Sequence, residues 1–200
     1  MKKYQILLFT FLLPFIVLAQ KNWSPEQVIK IKNISSAQVS PDGTKVVYTI
    51  REALMTDERS EYVNQIWISA IDGSNAKQLT TGDKNNANPK WSPDNKSIAF
   101  TSSRDGKNNL YILPITGGEA EKITEAKGGI SEFEWSNDGK KIAVITADAP
   151  TDKEEKNKKA KNDWYMWEEE LKQNRLQVYW IHHKDSTQKY IHKLKLLKQM

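Results

Sequence analysis

VSPDGTKVVYTI (residues 39–50), WSPDNKSIAFTS (91–102) and WSNDGKKIAVIT (135–146) align without a gap. Each opens on a turn pair: Asp42-Gly43, Asp94-Asn95 or Asp138-Gly139. The second residue of such a pair tolerates a positive φ, which suits the turn of a β-hairpin. Each copy then runs into β-branched and aromatic residues, namely Val46-Val47-Tyr48, Ile98-Ala99-Phe100 and Ile142-Ala143-Val144. The copies read as the end of one strand, a tight turn and a second strand.

The residues after each copy repeat as well. Gln65-Ile66-Trp67-Ile68, the turn Asp72-Gly73 and Ala76–Thr80 make one version. Asn109–Leu113, Thr116-Gly117-Gly118 and Ala120–Thr124 make the next. A third runs Leu176–Trp180, Lys184-Asp185 and Gln188–Ile191. A period of about 40–50 residues holding four short strands is the signature of β-propeller blades. No amphipathic helices separate the strands, which disfavours a parallel α/β sheet. The expected fold is all-β: a partial β-propeller of about three four-stranded antiparallel blades, preceded by a signal peptide and a short helix. The blades fall at about 37–87, 88–131 and 132–193, with insertions at 51–64 and 148–174 and a lysine-rich tail at 194–200.

Trp91 and Trp135 stand before the serine of copies two and three, and Val39 holds that place in copy one. They are read as large apolar residues packed between blades. The aspartate of each turn is read as a turn former, because one carboxylate is too few ligands for calcium. In the lead-in (20–36), Ser24-Pro25-Glu26-Gln27 makes an S-x-x-Q capping box with proline at the first helical position, so a short helix is expected. Residues 51–64 are mostly polar and stand where a hairpin turn belongs. DKEEKNKKAK (152–161) is nearly all charged and is expected to be a mobile loop. Asp163–Leu171 places three aromatics beside three acids, a cluster that must dock on something.

The ends skew the charge. The chain has 200 residues and a net charge of +5. Lys2 and Lys3 precede an uncharged apolar run, Ile6–Leu18, closed by Val17 and Ala19 at the −3 and −1 positions of a cleavage site. That run is short for a bilayer span and fits a signal peptide over 1–19. Its loss lowers the net charge by two. Lysines cluster from Lys184 onward, and the body between shows no basic stripe for nucleic acid. The absence of cysteine excludes disulfides, thiolate metal sites and a cysteine nucleophile.

Three features together resemble an exported bacterial serine peptidase of the prolyl oligopeptidase family, in its acylaminoacyl-peptidase and dipeptidyl-peptidase branches. They are the lead-in WSPEQVIKIKNISSAQVSPDGTKVVYTI, the unit WSPDNKSIAFTSSRDGKNNLYILPITGGEAEKIT, and a leader directly before both. The resemblance covers roughly 22–193; the S-P-D-G unit alone is shared with the Tol-Pal translocation protein B. It implies an N-terminal propeller that restricts access to an α/β-hydrolase domain bearing a Ser-Asp-His triad. In the dipeptidyl branch, a propeller stretch offers two carboxylates to the free amine of the substrate. Asp163-Trp164…Glu168-Glu169-Glu170 is similar, with one residue more between Trp164 and Glu168, and Glu169 and Glu170 are the matching substrate-binding pair.

The hydrolase chemistry itself is missing from these residues. No G-x-S-x-G elbow occurs. His182 and His183 are neighbours on an extended segment, so they point to opposite faces and cannot share a metal. His192 lies in the basic tail. No catalytic residue, metal or cofactor is expected. After Ile191 the chain reads HKLKLLKQM where a new blade should open, which reads as the product of a longer gene cut short. The alternative is a short protein that closes a propeller by oligomerising. The expected function is the propeller portion of an exported serine peptidase acting on peptides, periplasmic or secreted and inactive alone. The alternative is a Tol-Pal-B-like binding module of the cell envelope. Expected partners are a peptide substrate in a full-length relative and further copies of the chain, joined through open blade edges. Nucleic acid and stable membrane insertion after leader removal are not expected.

Overall fold

A serine hydroxyl and an aspartate carboxylate build each repeated turn the same way. The Ser40, Ser92 and Ser136 hydroxyls donate to Oδ1 of Asp42, Asp94 and Asp138 at 2.6, 2.6 and 2.5 Å. The same serine oxygens accept the N–H of Lys45, Ser97 and Lys141, each at 2.9 Å. Oδ1 of the three aspartates accepts the N–H of Thr44, Lys96 and Lys140 at 3.0–3.1 Å. Gly43, Asn95 and Gly139 supply the positive φ at 72°, 60° and 67°. The carboxylates are spent on the turn, as the sequence indicates.

In the computed structural model, which describes residues 23–161, 173–181 and 191–194, these turns join strands into three antiparallel meanders. The first holds β1 (Asn33–Val39), β2 (Lys45–Met55), β3 (Ser60–Ala70) and β4 (Lys77–Gln78). The second holds β5 (Asn86–Trp91), β6 (Ser97–Ser102), β7 (Asn109–Pro114) and β8 (Glu121–Lys122). The third holds β9 (Ile130–Trp135), β10 (Lys141–Ala147), β11 (Asn174–Ile181) and β12 (Ile191–Leu194). Neighbours in sequence are neighbours in each sheet, so every sheet is a four-stranded blade and the chain is a partial β-propeller.

Burial follows from stacking. The middle sheet is covered on both faces, and all six residues of β6 are buried. In β10 and over Val46–Ile50 of β2 buried and partly buried residues alternate, because each has a sheet on one face only. One core cluster joins Val47 and Ile66 of the first sheet to Trp91, Ile98, Phe100 and Tyr111 of the second. The other joins Ala99, Leu110 and Ile112 of the second to Trp135, Ile142, Val144 and Tyr179 of the third. Trp91 and Trp135 thus pack between blades. The Trp91 indole N–H also donates to the Gln38 carbonyl across the first junction, at 3.2 Å. Val39 holds the same place on the first sheet and is 53% exposed.

Several elements differ from the sequence reading. Residues 51–64 do not interrupt the hairpin; they lengthen it, with pairing out to Met55↔Ser60. Arg51 lies over the Tyr62 ring, 4.3 Å from its centroid, and supports the extension. DKEEKNKKAK is no loop over most of its length but carries α2 (Asp152–Lys159). Thr151 Oγ1 accepts the N–H of Glu154 at 3.3 Å, and Glu154 Oε2 accepts the N–H of Thr151 at 2.7 Å, a capping box. Acids at 152, 154 and 155 favour the positive end of the helix dipole. The last strand is Ile191–Leu194, later than Gln188–Ile191, so His192 and Leu194 stand in a strand and not in a tail. β1 begins at Asn33, inside the stretch read as lead-in.

Fourth strands are shorter than expected, two residues in each of the first two blades. Thr80 Oγ1 takes the Ile66 N–H and the Thr80 hydroxyl donates to Gln65 Oε1, at 2.9 and 2.8 Å. Thr124 repeats this with the Leu110 N–H and Asn109 Oδ1, both at 2.9 Å. A side chain replaces the backbone in the ladder, and the strand ends there.

Residues 23–31 belong to a unit separate from the blades. Its helix α1 (Pro25–Ile29) has the expected capping box: the Gln27 N–H donates to Ser24 Oγ at 3.2 Å, and the Ser24 N–H to Gln27 Oε1 at 3.0 Å. Among the described residues no helix is long and apolar enough to cross a membrane.

Candidate functional site

The first strands of the three blades converge. β1, β5 and β9 line one groove of about 300 Å³, with Ser36, Gln38, Asn88, Lys90, Glu132 and Phe133 in its wall. Each of these strands is irregular here. Register shifts fall between Ser35 and Gln38, between Ala87 and Lys90, and opposite Ile145 and Thr146. Ser36 and Asn88 occupy the same place in their repeats, and both have φ 52°. Asparagine enters this left-handed region readily and serine less so. The bulges turn polar side chains toward the groove. Lys90 crosses from the second blade to pair with Glu134 of the third, and its ammonium stands 5.4 Å from the centre of the Phe133 ring.

A larger recess, about 680 Å³, opens beside the start of β9 and the end of β10. Lys107 of the β6–β7 loop, Gly128 before β9, Asp148 after β10, and Glu154, Glu155 and Lys159 of α2 line it. Gly128 is fixed by close approach: a Cβ there would collide with the carbonyl oxygens of Ala147 and Asp148. Asp148 pairs with Arg175, and its N–H donates to the Gln173 carbonyl at 3.2 Å. That pairing raises the pKa of Arg175 above its ordinary value, through the hydrogen bond first and the charge second.

Both recesses offer hydrogen bonds and charges of both signs, so they can orient a polar chain. Among the described residues neither is lined by histidine or cysteine. Among the described residues no three His, Cys, Asp or Glu side chains gather to hold a metal ion. Glu169 and Glu170, the expected substrate-binding pair, lie outside the described residues, as do His182 and His183. The described chain stops at Lys161, two residues beyond Lys159 in the recess wall, and resumes at Gln173 against Asp148. The groove residues were not singled out from sequence. Their signal is positional: they stand one to three residues before Val39, Trp91 and Trp135 in the repeat.

Comparison with known proteins adds to this geometry. Residues 61–189 match the Tricorn protease N-terminal beta propeller domain family. The chain is 32% identical over 81 residues to the uncharacterized peptidase YuxL of Bacillus subtilis (strain 168), covering 40% of this chain and 12% of that one. It is 30% identical over 84 residues to dipeptidyl-peptidase 5 of Porphyromonas endodontalis, covering 42% and 12%. The match therefore spans about an eighth of the length of each relative. Among solved structures, the acylaminoacyl peptidase of Pyrococcus horikoshii superposes with a TM-score of 0.58 at 18% identity, over 87% of this chain and 27% of that one, a likeness of fold.

Proposed function

The chain belongs to the family of the Tricorn protease N-terminal beta propeller domain, and from that premise we propose that it is the propeller portion of an exported serine peptidase acting on peptides. The match over 61–189 carries this reading, because it takes in the whole second blade with parts of the first and third, and the relatives of the chain are peptidases. In the proposal, the propeller admits extended peptides to a hydrolase domain and supplies no nucleophile. The blade unit runs from Asn33 to Leu194, with 1–19 removed on export to the periplasm or beyond.

Glu169 and Glu170 are proposed to receive the amine of the peptide. Two observations support that role. The described chain reaches and leaves their stretch at the wall of the larger recess, and one relative is named for dipeptidyl-peptidase activity. Self-association of copies is also part of the proposal.

The test is an assay of the purified full chain on acyl-amino-acid and dipeptidyl chromogenic substrates, paired with equilibrium binding of a dipeptide that has a free amine. The proposal expects no turnover, and binding that weakens roughly tenfold in Glu169→Gln/Glu170→Gln. Turnover that survives purification contradicts the first expectation. Binding indifferent to both glutamates contradicts the second.

A further inference from the structure

Polar side chains that recur in the blades are bonded within the fold. The turn aspartates, Gln65, Thr80, Asn109 and Thr124 all have partners. The groove between β1, β5 and β9 is different, and its walls all come from the described blades. The registers Gln38↔Val47, Lys90↔Ala99 and Glu134↔Ala143 put these residues at one level of three successive blades. Ser36, Asn88 and Glu132 stand two residues before them. Among the described residues, the Ser36 hydroxyl, the Gln38 and Asn88 carboxamides and the Glu132 carboxylate bond to no other protein group, and all four residues are exposed.

The charges of the groove are uneven. Lys90 is committed to Glu134 and to the Phe133 ring. Glu132, two residues before Glu134 on the same face of β9, has no cation of its own. An uncommitted carboxylate among neutral amides and a hydroxyl selects a cation.

The strand edges decide how a ligand is held. β1, β5 and β9 each end their sheet, so one backbone edge of each has no strand beside it among the described residues. A straight edge of that kind adds a peptide as a further strand. These edges are bulged, and β5 carries Pro89, which has no N–H to give. Ladder pairing is denied, and recognition falls to side chains.

We propose that this groove binds an extended peptide segment through a basic side chain. The guanidinium or ammonium donates to the Glu132 carboxylate. Beside it, the Gln38 and Asn88 carboxamides donate to peptide carbonyls and accept peptide N–H groups. The choice of a peptide rests on the function proposed above; the choice of a basic side chain rests on the groove. The contact differs from that of Glu169 and Glu170, which are proposed to take a terminal amine.

Equilibrium binding of acetylated, amidated pentapeptides to the full chain tests it. The probes are glycine peptides with arginine or citrulline at the centre. Both ends are blocked, so no terminal amine takes part, and citrulline keeps the shape of arginine without its charge. The arginine peptide should bind roughly tenfold more tightly, and the margin should narrow as salt is raised. Glu132→Gln should remove that preference and leave the affinity for the citrulline peptide unchanged. Equal binding of the two peptides, or a preference that survives Glu132→Gln, overturns the proposal. So does a failure of both blocked peptides to bind. In that case a dipeptide with a free amine that still binds leaves the wider peptide reading standing, and its failure removes that reading as well.

A second measurement needs no variant. A benzophenone beside the arginine should cross-link to 36–38, 88–90 or 131–134 of the unaltered chain. Cross-links that fall elsewhere, such as 148–159 at the larger recess, overturn the proposal.

Discussion

Asp42 is held by three donors: the Ser40 hydroxyl first, then the Thr44 N–H and the Thr44 hydroxyl. They favour the carboxylate and lower its pKa from 3.8 to about 2. Asp138 is lowered likewise by Ser136 and the Lys140 N–H, and Asp72 by Ser74. A lowered carboxyl stabilises the fold above its unfolded pKa, and that contribution is lost as the pH falls. For Asp42 the window runs from 3.8 down to about 2. Thermal midpoints measured across that window should fall in the wild-type chain and fall less in Asp42→Asn; equal slopes would show that the turn carboxylate contributes nothing. This residue role was legible in sequence, because an aspartate two residues after a serine at a turn has few other uses. The groove residues Ser36 and Asn88 were not legible, since a bulge leaves no mark in hydrophobic alternation.

At the scale of elements, the strands that the repeat shares were readable and their ends were not. β6 and β7 follow β propensity, whereas β4 and β8 stop where a threonine hydroxyl takes over a ladder bond. Thr124 is the sharper case, buried and bonded to both the Leu110 N–H and Asn109 Oδ1. Thr124→Val keeps the shape and strands the Leu110 N–H, while Asn109 Oδ1 keeps the Ala126 N–H at 2.7 Å. We expect a loss of about 1–3 kcal/mol, the usual cost of stranding a buried polar group, read as a lower midpoint in urea. A loss within error of zero would mean that the Leu110 N–H finds another partner. α2 escaped the sequence reading for a related reason. Its stability comes from the Thr151 cap and the acidic first turn, and composition alone reads such a charged stretch as coil. The clustered candidates Asp163–Leu171, with Glu169 and Glu170, stay a matter of sequence, because they lie outside the described residues.

For the whole molecule, stability rests on stacking. Phe100 is fully buried and lies 5.9 Å from Tyr111, ring centre to ring centre, within the core shared by the first two blades. Burying such side chains contributes roughly 1.5–3 kcal/mol each, and the middle blade collects this from both sides. The sequence repeat implied three blades but not which faces meet; the register shows that both junctions run in one sense. Hydrogen–deuterium exchange of the full chain, kept dilute so that copies stay apart, tests the stack directly. Amides of Ser97–Ser102 and Asn109–Leu113 should exchange slowest, with those of Lys45–Met55 and Lys141–Ala147 faster on either side. Exchange in the middle blade as fast as in its two neighbours would contradict the account.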